Sequence, residues 1–158
     1  LVELGDDWLS IGLAIENTGG APFDFTAALH TYLRVADVRQ AAVEGLRGVR
    51  YREKGEERVD EDGELAISGE VDRIYLNTPP ELRVHDRANG RTFRVQSTGF
   101  TDTVVWNPWA AATAKLPDME DEEYLEMICV EAAQVGSPIH LPPAGRWMGM
   151  QRLQVVRG

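Results

Sequence analysis

Apolar and polar positions alternate along most of this chain. From Trp8 to Ile15 the odd positions carry Leu9, Ile11, Leu13 and Ile15, while Ser10, Gly12 and Ala14 lie between them. That is the period of a strand with one bulky face. Asn17-Thr18-Gly19-Gly20 reads as a turn. A second strand is predicted over Phe23 to Leu33, with Phe23, Phe25, Ala27, Leu29 and Leu33 on one face and Asp24, Thr26, Ala28, His30, Tyr32 and Arg34 on the other. The two strands are read as an antiparallel hairpin. Shorter strands follow at Ala41–Val43, Glu64–Ser68 and Val71–Leu76. Leu82–Asp86 and Thr92–Gln96 flank Ala-Asn-Gly at 88–90, a hairpin signal because Asn-Gly accepts the positive φ of tight turns. Val104–Asn107, closed by Pro108, the apolar run Tyr124–Ala132 and the alternating run Trp147–Val156 complete the set.

No segment sustains a helical stripe over three turns. The charged stretch Tyr51–Asp62 and the acidic stretch Pro117–Glu123 read as exposed loops. Many strands at short spacing predict an all-β sandwich or barrel in a single domain spanning 1–158.

Composition narrows the function classes. The 158 residues suffice for one core. The net charge is −10, from 16 Lys+Arg against 26 Asp+Glu, and the cations form no stripe, so nucleic acid is not an expected partner. No apolar run approaches the ~20 residues of a membrane helix, so no membrane partner is expected. The first residues, Leu-Val-Glu-Leu-Gly-Asp-Asp, do not read as a signal peptide. One cysteine, Cys129, fits a reducing compartment, and a cytoplasmic location is expected.

Few residues stand out as chemistry. Glu131 lies in Met-Ile-Cys-Val-Glu-Ala-Ala, an apolar strand, on a face with Met127 and Cys129. A carboxylate there is costly unless paired or functional. Desolvation would raise its pKa toward that of a general base working near neutrality. A buried ion pair is the other reading. His30 stands on the more polar face of its strand and reads as either structural or acid–base. Asp72, in Glu-Val-Asp-Arg-Ile-Tyr, shares a face with Ile74 and Leu76 and is expected to point inward, as a ligand acceptor or an ion-pair partner. Asn107 and Pro108 lie between Trp106 and Trp109, vocabulary suited to sugar binding and equally to a core. His85, beside Asp86 in a hairpin strand, reads as a surface residue, and His140, among prolines, as structural. The three histidines show no ligand spacing for zinc, and no P-loop, G-x-S-x-G or G-x-G-x-x-G occurs.

Four segments together resemble the glucose-6-phosphate 1-epimerase branch of the galactose-mutarotase-like superfamily. They are Phe-Thr-Ala-Ala-Leu-His-Thr-Tyr at 25–32, Glu-Val-Asp-Arg-Ile-Tyr at 70–75, Asp-Thr-Val-Val-Trp-Asn-Pro-Trp at 102–109 and Ile-Cys-Val-Glu-Ala-Ala at 128–133. Gly45-Leu-Arg-Gly-Val-Arg-Tyr51 also fits a family loop. The resemblance implies an antiparallel β-supersandwich, present here as its C-terminal part. It implies that His30 protonates the ring oxygen, that Glu131 takes the anomeric hydroxyl proton, that Asp72 holds sugar hydroxyls and that Asn107 neighbours the site. The implied substrate is a hexose 6-phosphate or another aldose, with no metal, nucleotide or redox cofactor. The family domain is substantially longer, and its N-terminal half is implied to carry further substrate-gripping residues. The missing half implies an open strand edge through which copies could self-associate.

Two rival functions are carried forward. A non-catalytic carbohydrate-binding sandwich would use Trp106 and Trp109 as a platform. A retaining glycosidase would use Glu131 and Asp72 ~5–5.5 Å apart.

Overall fold

The alternation predicts strands, and the computed structural model, which describes residues 1–157, contains fourteen of them. In chain order they are β1 (Val2–Leu4), β2 (Trp8–Glu16), β3 (Phe23–Leu29), β4 (Tyr32–Arg34), β5 (Ala41–Glu44), β6 (Arg50–Glu53) and β7 (Glu56–Val59). Then come β8 (Glu64–Ala66), β9 (Val71–Leu76), β10 (Glu81–Asp86), β11 (Arg91–Thr98), β12 (Asp102–Asn107), a short α-helix α1 (Trp109–Thr113), β13 (Met127–Leu141) and β14 (Arg146–Arg157). All pairings are antiparallel. One sheet runs β1-β2-β14-β11-β10-β5-β8 and the other β3-β13-β12-β9-β6-β7, with β4 also against β13. The core between them is built from Val35, Val43, Ile67, Val84, Val105, Ile128 and Val130, among others. No helix among the described residues is long and apolar enough to cross a membrane.

The 8–15 and 23–33 strands are not a hairpin. β2 pairs with β14 over nine positions, from Glu16–Arg146 to Trp8–Gln154, whereas β3 pairs with β13 in the other sheet. The turn between them is a corner from sheet to sheet, held by the buried side chain of Asn17. Its amide donates to the Ala21 and Leu141 carbonyls at 2.9 and 3.0 Å, and its side-chain oxygen accepts from the Gly19 N–H. The 23–33 run is also interrupted at His30 and Thr31, between β3 and β4.

The charged stretch 51–62 is structured. β6 and β7 pair through a two-residue turn, Lys54-Gly55, with φ of 50° and 84°, the positive pair that a tight hairpin requires. Asp60 closes it from below: buried, it accepts a hydrogen bond from the Tyr75 hydroxyl at 2.6 Å. The hairpin predicted around Asn89-Gly90 forms between β10 and β11, with Gly90 at φ 60°. The acidic stretch lies within the segment between α1 and β13 that carries no strand.

Candidate active site

Strand register decides which side chains meet. β13 is covered on both faces from Met127 to Gln134. Ile128 and Val130 look into the core. Their neighbours Cys129 and Glu131 therefore point to the opposite, outer face of the second sheet. On that face Cys129 lies opposite Tyr32 on one side and Trp106 on the other, and Trp106 lies opposite Asp72. The next row runs from His30 through Glu131 and Val104 to Ile74. The break between β3 and β4 leaves His30 beside Glu131 and not locked into the ladder.

The two groups 101 positions apart thus touch. His30 Nε2 lies 3.3 Å from Glu131 Oε1, with the histidine side chain 53% exposed and the glutamate side chain 6% exposed. The imidazole stacks on Tyr32 with centroids 4.9 Å apart and meets the edge of Trp106 at 5.8 Å. Its Nδ1 faces the Cys129 thiol at 3.8 Å. Burial pushes the Glu131 carboxyl up to about 7, and the charge of Asp72 adds to the effect. Two residues that the sequence does not single out for this site, Tyr32 and Cys129, join it. The available signal was their alternation with His30 and Glu131 on the same strand faces.

Asp72 is not turned into the core. It is exposed, on the same face as Glu131, because β9 presents its even positions outward while Val71 and Tyr75 fill the interior. Asn107 does not reach this face at all. It is fully buried, its amide donating to the Tyr124 and Met127 carbonyls, both at 2.8 Å, while its oxygen accepts from the Trp109 N–H at 2.9 Å. With its capacity spent on backbone, it braces the segment after β12. Nor do the two tryptophans form one platform: Trp106 borders His30, whereas Trp109 packs on Tyr124 and the core.

An outward-facing imidazole over a sunken carboxylate of raised affinity for protons can donate at one atom and accept at a neighbouring one. The sequence profile of the aldose 1-epimerase family matches residues 1–154. This chain belongs to the aldose 1-epimerase family. A relative from Cenchrus ciliaris with the provisional name glucose-6-phosphate 1-epimerase is 39% identical over 155 residues, covering 96% of this chain and 47% of its own length. One of the same provisional name from Escherichia coli is 36% identical over 114 residues, 70% of this chain and 38% of its own length. Among solved structures, a protein from Salmonella typhimurium provisionally described as a mutarotase superposes with a TM-score of 0.86 at 29% identity, covering 96% of this chain and 50% of that one. This member of the aldose 1-epimerase family therefore spans about half the length of the curated relatives it matches.

Proposed function

We propose that this chain carries the proton-transfer site of an epimerase that interconverts the α and β anomers of a hexose 6-phosphate. The observation that carries the reading is the contact of exposed His30 with sunken Glu131 on one sheet face. Anomerisation requires the C1 hydroxyl to lose a proton while the ring oxygen gains one and the C1–O5 bond opens. Rotation about C1–C2 and reclosure invert the centre. Both oxygens belong to one carbon, so acid and base must stand side by side. Glu131 takes the hydroxyl proton, and its raised pKa suits that task near neutrality. His30 supplies the proton to O5. Asp72, exposed on the same face, accepts sugar hydroxyls, and the Trp106 edge and Tyr32 ring offer apolar faces to ring C–H groups. A buried free thiol fits a reducing, cytoplasmic setting.

The phosphate is supported by the relatives' names. Within this chain the hollow beside Tyr32 is lined by Asp118, Glu120, Glu122, Glu123 and Glu126, with Arg34 as its cation, itself paired to Glu126 at 2.8 Å. Cations that grip the phosphate are accordingly assigned to the half of the relatives' length that lies outside this chain.

Exchange NMR between anomers, run on glucose 6-phosphate and on glucose, tests the reading. Replacing Glu131 by Gln should slow exchange by about 10²–10⁴-fold, the range for loss of a positioned base. Undiminished exchange in that variant would sink the mechanism; retained sugar binding without any exchange in the unaltered protein would favour the carbohydrate-binding reading. A glycosidase is disfavoured by position. Asp72 stands two strands over and two residues along from Glu131. The group in contact with Glu131 is His30.

A further inference from the structure

The pair has a third member that anomerisation does not use. Cys129 stands two residues before Glu131 on the same face of β13, and its sulfur faces His30 Nδ1 at 3.8 Å. One donor atom from each of His30, Cys129 and Glu131 lies within 4.8 Å of the other two. An imidazole nitrogen, a sulfur and a carboxylate oxygen are the donor types that hold zinc, with ligand bonds of about 2.0–2.3 Å. Ligands of one tetrahedral ion stand somewhat under 4 Å apart, so the trio needs only a modest contraction. The sulfur disfavours hard ions such as Mg²⁺ and Ca²⁺, which select oxygen.

A second observation points the same way. Glu131 is 4% exposed, and among the described residues its charged partner is His30. A carboxylate so placed has capacity left for a cation that comes between it and the ring. The His30 side chain is half exposed and stands in the break between β3 and β4, whereas the Cys129 thiol is fully buried, so entry requires the ring to swing aside.

We propose that His30, Cys129 and Glu131 form a capture site for a zinc-like divalent ion, and that its occupation shuts off proton transfer. On binding, the Cys129 S–H bond breaks, a sulfur–metal bond forms and the proton passes to solvent; no electrons are exchanged. The imidazole and the carboxylate are then both ligands, so neither the acid nor the base is free. Three protein ligands leave a fourth position for water. The inhibitory consequence rests on the function proposed above, whereas the capture site itself does not.

Cobalt reports the site directly. Titration of the reduced protein with Co²⁺ should give one ion per chain and a near-ultraviolet thiolate-to-cobalt charge-transfer band, displaced by Zn²⁺. Zn²⁺ should stop anomer exchange, and a chelator should restore it. Cys129→Ser should abolish the band and weaken Zn²⁺ binding by at least about 10-fold, the lower bound for loss of a group that merely orients a ligand. Cys129→Ala serves as a second variant should serine disturb the buried strand, with circular dichroism confirming the fold of whichever is used. Cobalt binding without the charge-transfer band, or equal Zn²⁺ affinity in the parent and the folded Cys129 variant, overturns the proposal. A protein that shows the band but never exchanges anomers keeps the capture site and loses the epimerase reading; exchange without the band does the reverse.

Discussion

Burial pushes the Glu131 carboxyl from 4.5 to about 7, and the sheet that does this also loses stability by it. Between those values the folded protein keeps a proton that the unfolded chain has shed. The stabilisation is complete below pH 4.5 and is lost as pH rises through about 7. Urea midpoints measured across that window should therefore decline with pH in the parent, and the decline should be shallower in Glu131→Gln. Under the mechanism proposed above, with Glu131 as the base, activity should run the opposite way, rising with pH toward about 7. A parent and variant with parallel stability profiles would count against a desolvated Glu131. This residue was legible in the sequence because a carboxylate in an apolar strand is costly wherever the strand lies. Asn107 was not legible as a brace. Flanking tryptophans describe a sugar site and a core equally well, and only register shows that position 107 faces away from position 106.

Asn17 shows what an element costs to turn. Its side chain ties the corner after β2 to Leu141 at the end of β13, and its own N–H and carbonyl bond to Gly145 and Ala144. Asn17→Ala removes two amide donations and orphans the buried Leu141 carbonyl, which should cost about 1–3 kcal/mol in urea unfolding. A loss near zero would mean that solvent reaches the corner. The same corner explains why β2 and β3 were legible as strands but not as partners. Asn-Thr-Gly-Gly suits a tight hairpin and a crossover alike, and the strand that wins β2 lies more than 120 residues downstream. β10 and β11 were legible as a pair because Asn89-Gly90 is a local signal. β6 and β7 were hidden because Arg50, Arg52, Glu56, Glu57 and Arg58 put charge on both faces, which erases the contrast that a period of two depends on.

At the scale of the molecule, both sheets end on the same side, at β1 and β3, which are joined through β2 and the Asn17 corner. Leu1 and Leu4 on this rim are 77% and 76% exposed, with Val2 and Phe23 also open to water. Unpaired edges with apolar side chains recruit other strands. Analytical ultracentrifugation of the chain should show concentration-dependent self-association, diminished by Val2→Lys; a monomer at every concentration would rule this out. The chain's tolerance to change is set elsewhere. From Met127 to Gln134, β13 has no face turned to water, since one side closes the core and the other seats Cys129 and Glu131. Ordinary strands absorb neutral substitutions on a wet face, and this one has none. In a saturation library selected for folded, active protein, positions 127–134 are expected to form the least variable window. Inheritable variation would then collect in the charged β6–β7 hairpin and the acidic 117–123 stretch. Descendants of this chain could thus diverge around the site while the strand that seats Cys129 and Glu131 stays fixed.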